Sequence, residues 1–193
     1  MAEVGEAGVV GEIKVLVLVG SLRAASVNRQ LAELAIESAP EGVSLQLFDR
    51  LGEVPFYNED IDNAHDDADV AEPVVALRRA AAEADAALVI TPEYNGSIPG
   101  VLKNAIDWIS RPYGKGALKG KPLAVIGTAL GQFGGVWAHD ETRKSFGIAG
   151  ASVVDGIELS VSSTAFDGKH PREHADVAAT VRDIVGKLAT EAA

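Results

Sequence analysis

Two short stretches of the chain have residue types and spacing suited to chemistry. Residues 20–29 read GSLRAASVNR and follow an apolar run; residues 91–100 read TPEYNGSIPG and follow another. In the first, Gly20 permits a tight turn, Ser21, Ser26 and Asn28 offer short polar side chains, and Arg23 offers a planar cation. With the free N–H groups and dipole of a helix start, such a loop can hold a phosphate. Equally, Ser and Asn there could simply cap a helix. It is not a Walker A loop, because no Gly-Lys-Ser/Thr ends it. Nor is it GxGxxG, because Leu22 and Ala25 occupy two of the glycine positions. Both facts argue against ATP, GTP and a dinucleotide bound in Rossmann fashion. The second stretch sets a carboxylate, Glu93, beside an aromatic, Tyr94, between Pro92 and Pro99. A loop that only had to turn could be shorter and blander.

The elements that must position these loops alternate along the chain. Residues 13–19, IKVLVLV, form a near-continuous β-branched and Leu run, as expected of a parallel strand covered on both faces. Further strands are predicted over 43–49, 86–91, 122–127 and 151–159. Helices are predicted over 27–39, 73–84, 99–110, 135–149 and 171–190, with Pro73 in the first turn of the second. Five βα units point to an α/β fold with a doubly wound parallel sheet. Ligands of such sheets bind at the carboxyl ends of the strands, which directs attention to the loops at 20–27, 49–60, 91–98 and 127–135. We expect a loose tail over residues 1–11 and one domain over 12–193.

Composition narrows the possibilities. The 193 residues carry 28 acids against 17 Lys and Arg, a net charge of −11. A surface of that sign repels phosphate backbones, which argues against nucleic acid and anionic membrane as partners. Cysteine is absent, which excludes disulfides, thiol redox chemistry and Cys-bound metal clusters. The first residues, MAEVGEAGVVGE, lack the basic start and apolar stretch of a secretory signal, and no apolar run approaches the roughly 20 residues of a membrane span. These features set the expectation of a cytoplasmic protein.

Three other patterns are weaker. DIDNAHDDAD (60–69) fails the EF-hand template at Ala64, His65 and Ala71, and reads as a solvated acidic loop. His170 and His174 lack a carboxylate to complete a zinc triad, so no metal site is expected there. No Gly-x-Ser-x-Gly elbow supports a hydrolase.

GSLRAASVN at 20–28, together with TPEYNGSIPGVLKNAIDW at 91–108, resembles the NADPH-dependent FMN reductases, flavodoxin-like enzymes that include quinone, azo-dye and chromate reductases. VPFYNED (54–60) and GQFGG (131–135) are similar to two further loops of that family. The resemblance implies a flavodoxin-like five-stranded sheet in the order 2-1-3-4-5 with helices on both faces. It also implies bound FMN, with NADPH or NADH as reductant and a quinone, flavin, azo or metal-oxyanion acceptor. Ser21, Arg23, Ser26 and Asn28 match the phosphate loop, Pro92, Glu93, Tyr94, Asn95 and Gly96 match the loop along the flavin ring, and Thr128 falls where the family places a Ser or Thr. Backbone N–H groups suit the polar edge of a flavin ring. Glu93 then either ties down the loop or makes a polar contact near the ring; no side chain is expected to be catalytic, because FMN carries the chemistry. A flavodoxin-type electron carrier is the alternative, disfavoured because the first loop lacks a Thr-rich motif and aromatics to sandwich the ring are few. Finally, Val101 and Trp108 lie off the main apolar stripe of the helix at 99–110, which suggests a homodimer or homotetramer interface anchored by Trp108; otherwise Trp108 packs under the loop at 111–120.

Overall fold

The computed structural model describes residues 12–62 and 70–193. The expected tail over 1–11, and most of the acidic stretch at 60–69, lie outside the described residues. Five strands, β1 (Ile13–Val19), β2 (Val43–Phe48), β3 (Ala86–Ile90), β4 (Pro122–Ala129) and β5 (Ser152–Ser162), form one parallel sheet in the order β2-β1-β3-β4-β5. The helices are α1 (Val27–Glu37), α2 (Glu59–Asp62), α3 (Glu72–Glu83), α4 (Gly100–Ile109), α5 (Val136–Ile148) and α6 (Ala175–Ala192). The sequence expectations for order and class are met.

The sheet separates two cores, and the period of two along each strand makes that division. Leu16, Leu18, Ala87, Val89, Leu123 and Val125 face α3, α4 and α5. Their neighbours Val15, Val17, Leu88, Ile90, Ala124 and Ile126 face α1 and α6. Both faces being covered, the central strands have no solvent side, which is why β1 and β3 read as unbroken apolar runs.

Several features differ from expectation: α2 was not foreseen, and β5 runs on to Ser162. The last helix begins later than residue 171, because Pro171–Glu173 form a separate 3-10 turn. His170 caps it: its ring Nδ1 accepts from the Arg172 N–H, while the Glu173 carboxylate accepts from the His170 N–H. That accounts for His170 structurally, and His174 packs edge-on against Phe166. A further difference is Trp108. It is fully buried within its own chain and cannot anchor a subunit interface. Its indole N–H donates to the Pro55 carbonyl at 2.8 Å, its ring meets Tyr57 in a T-shaped contact, and the Arg78 guanidinium lies 5.3 Å from the ring centre. One turn earlier on α4, Asn104 donates to the Pro55 carbonyl and accepts from the Tyr57 N–H. The Asn-x-x-Asp-Trp pattern therefore fastens α4 to the loop after β2, while Lys103 and Asp107 pair on the outer face.

Candidate active site

The first, third and fourth loops converge at the carboxyl ends of β1, β3 and β4. Ser26 is the N-cap residue of α1, is buried, and makes no side-chain cap bond, which leaves its hydroxyl and the first-turn N–H groups of α1 for another acceptor. Arg23 is exposed and makes no ion pair among the described residues. Ser21 is partly exposed and accepts a long contact, 3.4 Å, from the Arg23 N–H. Asn28 engages the fourth loop. Its carboxamide accepts from the Thr128 N–H and donates to the Thr128 carbonyl, both at 2.9 Å, so it clamps the start of α1 to the end of β4.

The third loop is a rigid hairpin. Tyr94 and Ser97 exchange both backbone hydrogen bonds at 3.1 Å, with Asn95 at φ 54° and Gly96 at φ 75° between them. Positive φ at both central residues is the type I′ turn, for which Asn-Gly is the favoured pair. The hairpin is pinned to α5 twice: the Glu93 carboxylate accepts from the Ala138 N–H at 3.2 Å, and the Ser97 hydroxyl donates to Glu141 at 2.6 Å. Glu93 thus sits in the first turn of α5 as an external cap, where a negative charge is favoured. Pro92 is buried at the strand exit and Tyr94 is exposed beside the turn. Pro99 is the N-cap residue of α4, one position before the first-turn place expected for it.

Beneath the loops lies a polar knot that sequence reasoning missed. His139 is fully buried, its Nε2 lies 2.9 Å from the Thr91 carbonyl, and its Nδ1 lies 2.7 Å from the Ser160 hydroxyl. A carbonyl only accepts, so Nε2 carries the proton, and Nδ1 accepts from Ser160. Burial lowers the imidazole pKa, against the Thr91 carbonyl bond, which raises it; the Arg143 charge lowers it further. Gly127 is required here: a side chain at that position would strike the Thr91 carbonyl, His139 Nε2 and Asn28 Oδ1. The available signal was a histidine right after GGVWA, at a helix start following a strand. Phe133 and Trp137, also passed over, meet at 5.5 Å beside the hairpin.

A sizeable cavity lies elsewhere. It measures about 380 Å³ and lies between α4 and α5, lined by residues including Lys103, Arg111, Tyr113 and Ile148. The loop cluster is the better candidate because it gathers several groups without partners, whereas the other buried hydroxyl unpaired among the described residues, Ser44, stands alone on β2. Chief among those of the loops is the buried Thr128 hydroxyl, with no hydrogen-bond partner among the described residues. Such a group costs about 1–3 kcal/mol unless a ligand satisfies it. An uncapped helix start, an unpaired arginine and an orphaned hydroxyl fit a phosphorylated, hydrogen-bonding ligand such as FMN.

A parallel sheet of this order is the flavodoxin-like fold, whose ligands bind at the carboxyl ends of the strands by the switch point. Comparison with known proteins makes that specific. The profile of the NADPH-dependent FMN reductase family matches residues 13–165. A 2-hydroxy-1,4-benzoquinone reductase of Burkholderia sp is 44% identical over 131 residues, 68% of each chain. An NAD(P)H-dependent FMN reductase of Pseudomonas aeruginosa is 39% identical over 160 residues, 82% of this chain and 83% of the other. Among solved structures, the flavoenzyme NAD(P)H:(acceptor) oxidoreductase FerB of Paracoccus denitrificans superposes with a TM-score of 0.81 at 34% identity, covering 93% of this chain and 97% of its own. The chain belongs to the NADPH-dependent FMN reductase family. It is an FMN-dependent NAD(P)H oxidoreductase, and the electron-carrier alternative gains no support. No helix among the described residues is long and apolar enough to cross a membrane.

Proposed function

We propose that this enzyme reduces quinones at the expense of NADPH or NADH, with FMN seated across the first, third and fourth loops. In this reading Arg23, Ser21, Ser26 and the first-turn N–H groups of α1 hold the phosphate. Backbone groups of Pro92–Gly96 run along the ring, and Thr128 supplies a hydroxyl. Asn28, Glu93 and His139 keep the three loops in register. When bound, FMN supplies a ring that accepts a hydride from reduced nicotinamide and passes electrons on. Overall, the nicotinamide is oxidised, and the quinone gains two electrons and two protons to become a hydroquinone. One proton arrives with the hydride and the other from solvent. No side chain is assigned as the acid, because the Glu93 carboxylate is engaged at the start of α5.

The observation that carries the reading is the group of partnerless donors, with the orphaned Thr128 hydroxyl at its centre. The quinone acceptor is supported by the name of the Burkholderia relative. Dependence on a nicotinamide pool fits a cytoplasmic protein. Self-association is proposed through the α4–α5 face, where Tyr113 and Ile148 are exposed beside the cavity, with half-buried Val101 on α4 and without Trp108. Steady-state assays with a benzoquinone and each nicotinamide test the reaction. FMN-dependent hydroquinone formation is expected; oxidation of NAD(P)H by FMN-loaded enzyme that no quinone accelerates would contradict the acceptor assignment.

A further inference from the structure

Phe133 ends the loop after β4, and Trp137 lies in the first turn of α5. Their rings are 5.5 Å apart and inclined by 51°. Both are about half exposed, at 54% and 53%. Neither belongs to the two apolar cores nor packs against them. Their surface therefore serves something other than folding, since apolar rings left in water forgo the gain of burial.

The pair is also fixed in place beside the ring loop. Trp137 Cε3 lies 3.9 Å from where a side chain at Gly96 would begin. Its neighbour Ala138 is held by Glu93, and Glu141, one turn on, is held by Ser97. On the other side, the Phe133 carbonyl accepts from the Val136 N–H at the helix start.

We propose that Phe133 and Trp137 form the platform on which a planar aromatic acceptor, a quinone, stacks while it is reduced. The proposal rests on the flavin-site reading above and deepens it. The electron-rich faces of the two rings suit an electron-poor planar ring. Carboxylates stand on the same helix, Asp140 and Glu141, and on the adjoining hairpin loop, Glu93, with Arg143 paired to Asp140. Carboxylates repel the phosphates of a nicotinamide dinucleotide and repel metal oxyanions, and leave a neutral quinone unaffected.

The chain has two tryptophans, and Trp108 is fully buried, so the accessible emission belongs to Trp137. The test uses FMN-loaded enzyme, wild type against Trp137→Ala, Trp137→Phe and Phe133→Ala, with 1,4-naphthoquinone and with ferricyanide, which has no ring to stack. Trp137→Ala should raise the KM for naphthoquinone about tenfold, the scale of one aromatic contact, with kcat and the KM for NADPH unmoved. Ferricyanide reduction should be unaffected, and Trp137→Phe should restore most of the loss. In a Trp108→Phe background, naphthoquinone should quench the remaining emission saturably. An unchanged naphthoquinone KM overturns the platform. A rise confined to NADPH overturns it in favour of a reductant site, and a change in mass by light scattering overturns it in favour of a second copy. Loss of FMN from Trp137→Ala overturns it too, making Trp137 part of the cofactor seat. Wild-type protein that takes up no FMN defeats the flavin reading itself, a result distinct from each of these.

Discussion

Arg23 and His139 show the two kinds of residue this site uses. Arg23 is exposed and available for a charged ligand group; Arg23→Ala should weaken FMN binding by about 1–3 kcal/mol, the scale of charge-assisted hydrogen bonds. Quenching of FMN fluorescence on titration with apoprotein measures it, and an unchanged affinity removes Arg23 from the site. His139 works on the protein itself. Burial lowers its pKa below the ordinary 6.5, so the folded state resists protonation more than the unfolded chain does. Its contribution to stability is then complete above about pH 6.5 and declines as pH falls from there through the lowered value. Arg143 disfavours the charged ring, whereas Glu93 and Asp140 favour it. His139→Gln should flatten the fall in melting temperature between about pH 7 and 5; an equally steep fall would acquit His139. Arg23 was legible from sequence because its chemistry is local to one loop. His139 was not, because its partners Thr91 and Ser160 are 48 and 21 positions away and no spacing rule connects them.

At the scale of elements, the strands were the most legible part, since burial on both faces writes itself as a continuous apolar run. Ends of the expected helices were read to within a residue or two except at α6, where the His170 cap and Pro171 make a separate turn, and the short α2 was not foreseen. The face of α4 was read correctly as having a second apolar side, yet what covers it was not legible. Periodicity gives the direction of Trp108 and says nothing of Pro55 and Tyr57, about fifty positions back, that close over it. This contact sets the place of the loop after β2. Asn104→Ala should strand the Tyr57 N–H and remove one of the two donors to the Pro55 carbonyl, costing about 2 kcal/mol and lowering the melting temperature by about 4–8 °C. Thermal denaturation followed by circular dichroism checks it; a change under a degree would mean that the loop holds without α4.

For the whole molecule, the sheet order and the two cores place three loops at one edge, and Asn28, Glu93 and Ser97 join those loops to one another or to α5. The chain is strongly acidic, so the self-association proposed above would rely on apolar contact at the α4–α5 face more than on charge. Ile148→Asp should convert an assembled form to monomer by light scattering; an unaltered mass places the contact elsewhere. The central claim concerns what the loop cluster holds and what reduces it. Its most direct test is an anaerobic titration of FMN-reconstituted protein with NADPH, following the visible band of oxidised flavin. The account expects tight uptake of one FMN per chain and full bleaching of that band as an equivalent of NADPH is added. A chain that retains no FMN, or a bound flavin that neither NADPH nor NADH bleaches, would contradict it.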